Sequence, residues 1–251
     1  MSGSWIVTTA ALTVALVTTA AVAPARAQGA NPPTSPWSAE FGIGLDNSIS
    51  GNINSGGIGS INNQTVVIIR NTYEQVYGTG LNLHFGGGYM LDENLEVRAT
   101  FTFQSLDADL TPMGEIGTSR LYAQYTDYQT FALDVGLRRY ATVAPKVRLY
   151  GEGQIGLGFV DKTDVTLVAP GANLSQKVTD FYDRTTAISL GVIGGALMQL
   201  NDRYGAFVQM GLRRMSGMSE VDDLLGTGLD TINDNSARWT LPFSLGIRAR
   251  F

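Results

Sequence analysis

The sequence predicts an all-β protein, an eight-stranded antiparallel up-and-down transmembrane β-barrel. Three observations predict it. Eight stretches alternate apolar residues with polar ones or glycine, which puts one face of each strand in apolar surroundings and the other elsewhere. The connections between these stretches alternate long and short, as in barrels whose long loops gather at one end and tight turns at the other. The chain closes on Trp239–Phe251, where every odd position is apolar, the even positions are Thr, Pro, Ser, Gly, Arg and Arg, and the last residue is an aromatic.

Composition is compatible with this class. The chain has 251 residues, 30 Gly, no Cys and a formal charge of −5. A mean hydropathy of +0.04 does not argue against a membrane barrel, because lipid-facing and lumen-facing residues cancel. Without Cys there is no disulfide and no thiolate chemistry. Only Lys146, Lys162 and Lys177 are lysines. Arginine in place of lysine suits buried ion pairs, because its planar fork matches a carboxylate. The mild acidity argues against a nucleic-acid partner.

Residues 1–27 read as a cleaved signal peptide. Trp5 to Ala23 is apolar and rich in Ala, Val and Thr, Pro24 ends any helix, and Ala25-Arg26-Ala27 is an A-x-A cleavage site. Met1 to Ser4 lacks the usual Lys or Arg. Residues 28–36 form a Pro-rich periplasmic lead-in, and 37–251 the barrel.

The first run sets Trp37, Ala39, Phe41, Ile43 and Leu45 against Ser38, Glu40, Gly42, Gly44 and Asp46. Residues 47–64 are dense in Gly, Ser and Asn and read as a loop. Thr65–Ile69 fits either a strand extension or a surface hairpin. The second run, Thr79 to Met90, turns tightly at Leu91–Asn94 into the third, in which Leu95, Val97, Ala99, Phe101 and Phe103 oppose Glu96, Arg98, Thr100, Thr102 and Gln104. After a long polar connection, the fourth run places Phe131, Leu133, Val135 and Leu137 opposite Asp134 and Arg138. Thr142–Lys146 turns the chain into the fifth, with Arg148, Tyr150, Glu152 and Gln154 on its polar face. A second long connection, Lys162 to Arg184, precedes the sixth run, Ala187 to Leu200, which is apolar on both faces. Asn201–Arg203 is tight. The seventh run opposes Ala206, Val208, Met210 and Leu212 to Phe207, Gln209, Gly211 and Arg213. Ser216–Ser236 is the last long connection, and the closing stretch is the eighth run.

Each run approaches the ~10 residues that a tilted strand needs to cross a bilayer. Eight such strands close when the last pairs with the first, leaving no edge. A soluble barrel would put its apolar face inside. Here the polar face carries Arg together with acids, which fits a lumen better than a water-facing surface. Trp37, Tyr89, Tyr140, Tyr204 and Phe251 mark one aromatic girdle, and Phe103, Tyr128, Phe159 and Trp239 the other. Pro242 falls mid-strand, where its missing N–H predicts a bulge or a locally unpaired position.

With these runs and Leu245-Gly246-Ile247-Arg248-Ala249-Arg250-Phe251 at the C-terminus, the chain resembles the small outer-membrane β-barrel proteins of Gram-negative bacteria, the OmpA transmembrane-domain and OmpX-type barrels. Ala249 departs from the usual large apolar residue. The resemblance implies an outer-membrane location, both termini in the periplasm, and Phe251 as the assembly signal read by the outer-membrane assembly machinery. It also implies contact with outer-membrane lipid and lipopolysaccharide, and four loops free to meet an extracellular ligand.

The candidate functional residues are the lumen charges Glu40, Glu96, Arg98, Asp134, Arg138, Arg148, Glu152, Arg213, Arg248 and Arg250. Glu40 with Arg248 or Arg250 is the expected pair across the seam of first and last strands. An eight-stranded interior is only wide enough to be filled by side chains, so a static salt-bridge core is favoured over a gated ion path. His84, the single His, lies on the polar face roughly 15 Å above a short turn, with no Ser at strand-neighbour spacing. A barrel hydrolase acting on lipid would want such a pair near the other rim. The loop acids show no EF-hand spacing, and no zinc, phosphate-loop or dinucleotide motif is present. No metal, cofactor or catalytic residue is expected. The reading is a non-enzymatic barrel with a structural or surface-interaction role, with a narrow channel and a lipid-modifying hydrolase as alternatives.

Overall fold

A computed structural model of the protein describes residues 35–220 and 228–251. The proposed signal peptide and most of the lead-in lie outside them. In chain order the elements are β1 (Trp37–Ser50), β2 (Asn52–Asn54), β3 (Gly57–Ile61), β4 (Gln64–Ile68), β5 (Asn71–Thr72), α1 (Tyr73–Val76), β6 (Thr79–Met90), β7 (Leu95–Leu106), β8 (Thr111–Ile116) and β9 (Ser119–Tyr125). They continue with β10 (Tyr128–Ala144), β11 (Val147–Val160), β12 (Thr163–Ala169), a 3-10 turn (Pro170–Ala172), β13 (Leu174–Asp183), β14 (Thr185–Gln199), β15 (Tyr204–Met215), β16 (Ser219–Glu220) and β17 (Arg238–Arg250).

Eight of these strands form a closed antiparallel barrel in the order β1-β17-β15-β14-β11-β10-β7-β6. This is the predicted class, with each of the eight runs supplying one strand. The seam closes in register, with Glu40 opposite Arg248 and Leu45 opposite Phe243. On its other side β1 pairs with β6, Phe41 against Phe85. Burial alternates along every barrel strand. Phe41, Ile43, Leu133, Ile155, Val192, Leu245 and Ile247 point outward and are exposed, whereas Glu40, Arg98, Asp134, Arg138 and Arg248 point inward and are buried. Such a surface inverts the water-soluble arrangement, and hydrocarbon solvates it better than water does. No helix among the described residues is long and apolar enough to cross a membrane.

One expectation changes and two become specific. The sixth run, β14, is apolar on both faces because Leu197 points inward and packs with Tyr140, Tyr150 and Phe207, an apolar cluster inside the short-turn half of the lumen. Tyr140 and Tyr128 are therefore not girdle residues, since both are buried inside. Trp37, Tyr89, Tyr204, Phe251 and Phe159 do face outward, with the Trp37 and Tyr89 rings edge-to-face at 4.8 Å. Of the two alternatives at Pro242, a bulge or a locally unpaired position, the second is found. Pro242 keeps register with Asp46 on β1. On the β15 side, pairing stops at Met210–Phe243 and resumes at Arg213–Thr240, so the ladder is locally open where the proline has no N–H to give.

The largest departure concerns the long connections, which are not independent loops. They assemble a second sheet in the order β16-β13-β12-β9-β8-β4-β3. Its short strands repeat the period-two logic: Leu121, Ala123 and Tyr125 on β9 and Val165, Leu167 and Ala169 on β12 point to one buried core, joined by Val66, Ile68, Met113 and Ile116. Asn62 and Asn63, both with positive φ (50° and 62°), make the two-residue turn of the β3–β4 hairpin, so Thr65–Ile69 belongs to a surface hairpin. The short helix α1 is held by a capping box between Thr72 and Gln75. It turns Tyr73 and Tyr77 onto Tyr128, with centroids 6.2 and 5.6 Å apart. Burial pushes the Tyr73, Tyr77 and Tyr125 hydroxyls well above the usual tyrosine range, so this aromatic layer over the barrel mouth stays uncharged.

An ion-pair ladder laces the outer face of the β12–β13 hairpin. Lys177 Nζ lies 2.6 Å from Asp164 and Lys162 Nζ 2.8 Å from Asp180. The Lys177 hydrogen bond, then the Asp180 N–H, hold the Asp164 carboxyl below its ordinary value. A depressed carboxylate contributes stability above its unfolded value, about 3.9, and loses it as pH falls through the folded value. Amide exchange across residues 165–178, corrected for its intrinsic rate, should therefore loosen between pH 4 and pH 2 (on the order of the free Asp range). Lys177→Met should remove that dependence. Unchanged exchange in the variant would contradict the assignment.

Candidate functional site

The lumen is the feature that the fold builds with most precision. Inward positions of five strands converge below mid-barrel: Ser38 and Glu40 from β1, Glu96 and Arg98 from β7, Arg138 and Tyr140 from β10, Tyr150 and Glu152 from β11, and Arg248 from β17. Glu40 is the hub. Its carboxylate takes Arg98 at 2.6 Å, Arg138 at 2.8 Å and Arg248 at 3.1 Å. Glu152 takes Arg138 at 2.8 Å and Arg98 at 3.3 Å. Glu96 takes Arg248 at 2.5 Å, the Tyr140 hydroxyl at 2.6 Å and the Ser38 hydroxyl at 2.7 Å. Three carboxylates thus meet three guanidinium groups, all buried, and the cluster is neutral as a whole. The Arg138 guanidinium also stacks 3.9 Å from the Tyr150 ring centre.

The wall that faces this cluster is glycine. A methyl group at Gly88 would sit 2.1 Å from Glu96 Oε1, and one at Gly86 would sit 2.4 Å from Arg98 Nη2. Two long side chains occupy the space that these residues vacate. Gly88→Ala should therefore displace Glu96 and cost about 1–3 kcal/mol, the usual penalty of overpacking. A urea midpoint measured in detergent micelles checks this, and an unchanged midpoint would contradict it.

Asp134 and Arg213 sit apart, higher in the lumen. They pair at 2.6 Å, and Arg213 Nε donates to Ser189 Oγ at 3.0 Å. Arg148 and Arg250 do not join either group. Arg148 is half-exposed at the short-turn rim, where it donates to the Glu93 carbonyl at 2.6 Å and lies over the Tyr140 ring at 4.1 Å. Arg250 is half-buried and makes no ion pair among the described residues. The expected seam pair therefore forms through Arg248 and not Arg250. His84 is buried in the lumen with its ring 5.7 Å from Phe207 and its Nε2 3.5 Å from Gln209. It faces the interior, away from the outer surface where lipid would lie.

Two inward charges stand outside the candidate list, Asp46 and Arg238. Arg238 is buried at the barrel mouth, its Nε donating to Ser48 Oγ at 3.0 Å and its guanidinium 4.6 Å from the Tyr128 ring centre. It continues the even phase of the last run one step before Trp239, and reading that phase backward finds it. Asp46 stood on the polar face of the first run and accepts from Gln104 across the lumen.

Comparison with protein-family models finds no match, and comparison with curated proteins finds none. Solved structures with a similar backbone exist. Neisserial surface protein A matches with a TM-score of 0.46 at 10% identity, covering 86% of this chain and 98% of that one. The outer membrane protease OmpT from Escherichia coli matches with a TM-score of 0.43 at 10% identity, covering 89% and 99%. Ail, the attachment invasion locus protein of Yersinia pestis, matches with a TM-score of 0.38 at 13% identity, covering 85% and 98%. None of these likenesses assigns a role to this chain.

Proposed function

We propose that this chain is a non-enzymatic outer-membrane β-barrel that presents a folded surface outside the cell. One observation carries the reading: the long connections share a seven-stranded sheet whose buried core runs on into the barrel mouth at Leu106, Tyr128, Val160 and Met215, built on a barrel whose outer face is aliphatic. Ordering that many residues costs conformational entropy, which a mere linker would not need to meet. A sheet that projects from one rim is a platform, and its exposed side chains, among them Ile58, Val67 and Ile69, are what a ligand or a neighbouring cell would meet. The neutral Glu–Arg cluster supports this reading over a conducting pore, since every charge in it is already held by a partner. Contact with outer-leaflet lipopolysaccharide follows from the location. Recognition of Phe251 by the assembly machinery is part of the same proposal.

The chain has no Cys, which makes topology easy to test. Ile58→Cys, on the upper sheet, should react with a membrane-impermeant maleimide on intact cells. Asn201→Cys, in the β14–β15 turn, should react only after the outer membrane is opened. Labelling of Asn201→Cys on intact cells, or none of Ile58→Cys, would overturn the proposal. For the enzyme alternative, lipid A mass spectra should be the same with and without the protein.

A further inference from the structure

Every charge in the two ion-pair groups has an opposite partner. Asp46 and Arg238 lie outside both groups. Both are buried, and neither forms an ion pair among the described residues. Among the described residues, the Nη1 and Nη2 of Arg238 have no hydrogen-bond partner, and neither does Asp46 Oδ1. Leaving buried charged groups without partners is costly.

The two lie in one compartment. Arg238 Nε donates to Ser48 Oγ, and Asp46 is two residues earlier on the same inward face of β1. Asp46 Oδ2 accepts from Gln104, and Gln104 lies directly opposite Asn82 in the barrel wall. Asn82 Oδ1 and Gln104 Oε1 are likewise buried without partners among the described residues. One side of the compartment therefore offers the open end of a guanidinium, held by Ser48 and by the Tyr128 ring. The other side offers three oxygen acceptors, one of them a carboxylate. Arg213, paired with Asp134, lies opposite Thr240 on the neighbouring strand, and Thr240 lies opposite Ser48.

We propose that this compartment is a binding site for a small zwitterion bearing one carboxylate and one ammonium group. The guanidinium end takes a carboxylate through two parallel hydrogen bonds. An ammonium has three N–H donors, matching the oxygens of Asp46, Asn82 and Gln104. A bare anion would leave Asp46 unpaired and add charge to a neutral lumen, and a bare cation would do the same to Arg238. A zwitterion satisfies both and leaves the net charge unchanged.

Calorimetric titration of the folded wild-type protein in detergent micelles tests this with glycine, β-alanine and γ-aminobutyrate, which differ only in the spacing of the two charges. Acetate and methylamine serve as half-ligands. One of the three zwitterions should bind with 1:1 stoichiometry (about one per lumen) and at least about tenfold more tightly than either half-ligand (roughly 1.4 kcal/mol). Arg238→Gln and Asp46→Asn should each lose that binding while still migrating as folded barrels in unheated SDS. Equal binding of acetate would mean a simple anion site and would overturn the proposal. So would no heat with any probe, which would mean that water alone completes the compartment. Because the half-ligand comparison uses only the wild-type protein, a variant that fails to fold leaves the test intact.

Discussion

Replacing Glu40 by Ala is expected to destabilise the folded barrel by about 3–5 kcal/mol, the range for breaking a buried ion pair from one side. Glu40 touches Arg98, Arg138 and Arg248. Without it, three guanidinium groups remain buried with two carboxylates, Glu96 and Glu152, to share. Each of these arginines keeps one other acid, Arg138 and Arg98 on Glu152 and Arg248 on Glu96, so the barrel should still form but unfold earlier. Glu40→Gln should cost less than Glu40→Ala, because an amide oxygen still accepts hydrogen bonds while the charge is lost. Removing both members of the isolated pair, Asp134→Leu with Arg213→Met, should be near neutral by the same reasoning, since no charge is stranded. Equilibrium urea unfolding in micelles measures all of these. A Glu40→Ala midpoint equal to wild type would mean that the cluster contributes nothing to the folded state.

The second large effect is expected above the membrane. Leu121→Ala should cost the upper sheet about 2–5 kcal/mol through the lost apolar contact and the cavity left behind. Leu121 is fully buried at the centre of that core. The consequence should be local. Barrel strands pair along ladders that Leu121 does not touch, so heat-modifiable migration in SDS should persist. Trypsin, by contrast, should cut at Arg120 or Lys177 in the variant under conditions where wild type resists. Loss of both properties together would show that barrel and upper sheet fold as one unit.

The sequence made the barrel legible because a membrane strand exposes its pattern in consecutive residues. Outward Leu133, Val135 and Leu137 and inward Asp134 and Arg138 can be read without knowing what they pair with. The seam was legible for a related reason: closure forces the first and last runs together, which set Glu40 beside Arg248. What escaped notice depends on distant partners. Val66 pairs with Ile116 and Val165 with Tyr125, across connections that look like polar loops when each is read alone. Their alternation is present but short, and it is mixed with residues that face water. Arg238 falls one residue before the apolar odd phase that begins at Trp239, so the pattern alone starts the strand too late. Tyr128 and Tyr140 fall near strand ends, where aromatics commonly mark an interface, yet they sit on the inward phase. The apolar inner face of β14 is explained only by Tyr140, Tyr150 and Phe207, three residues on other strands.

We propose that a neutral ionic cluster beneath a folded roof closes the lumen, and that the protein displays a surface instead of conducting ions. Planar-bilayer recording with purified wild-type protein tests this most directly. The expected result is a flat baseline, with no conductance steps across applied potentials of either sign. Reproducible steps, abolished when the protein is heat-denatured before addition, would contradict it.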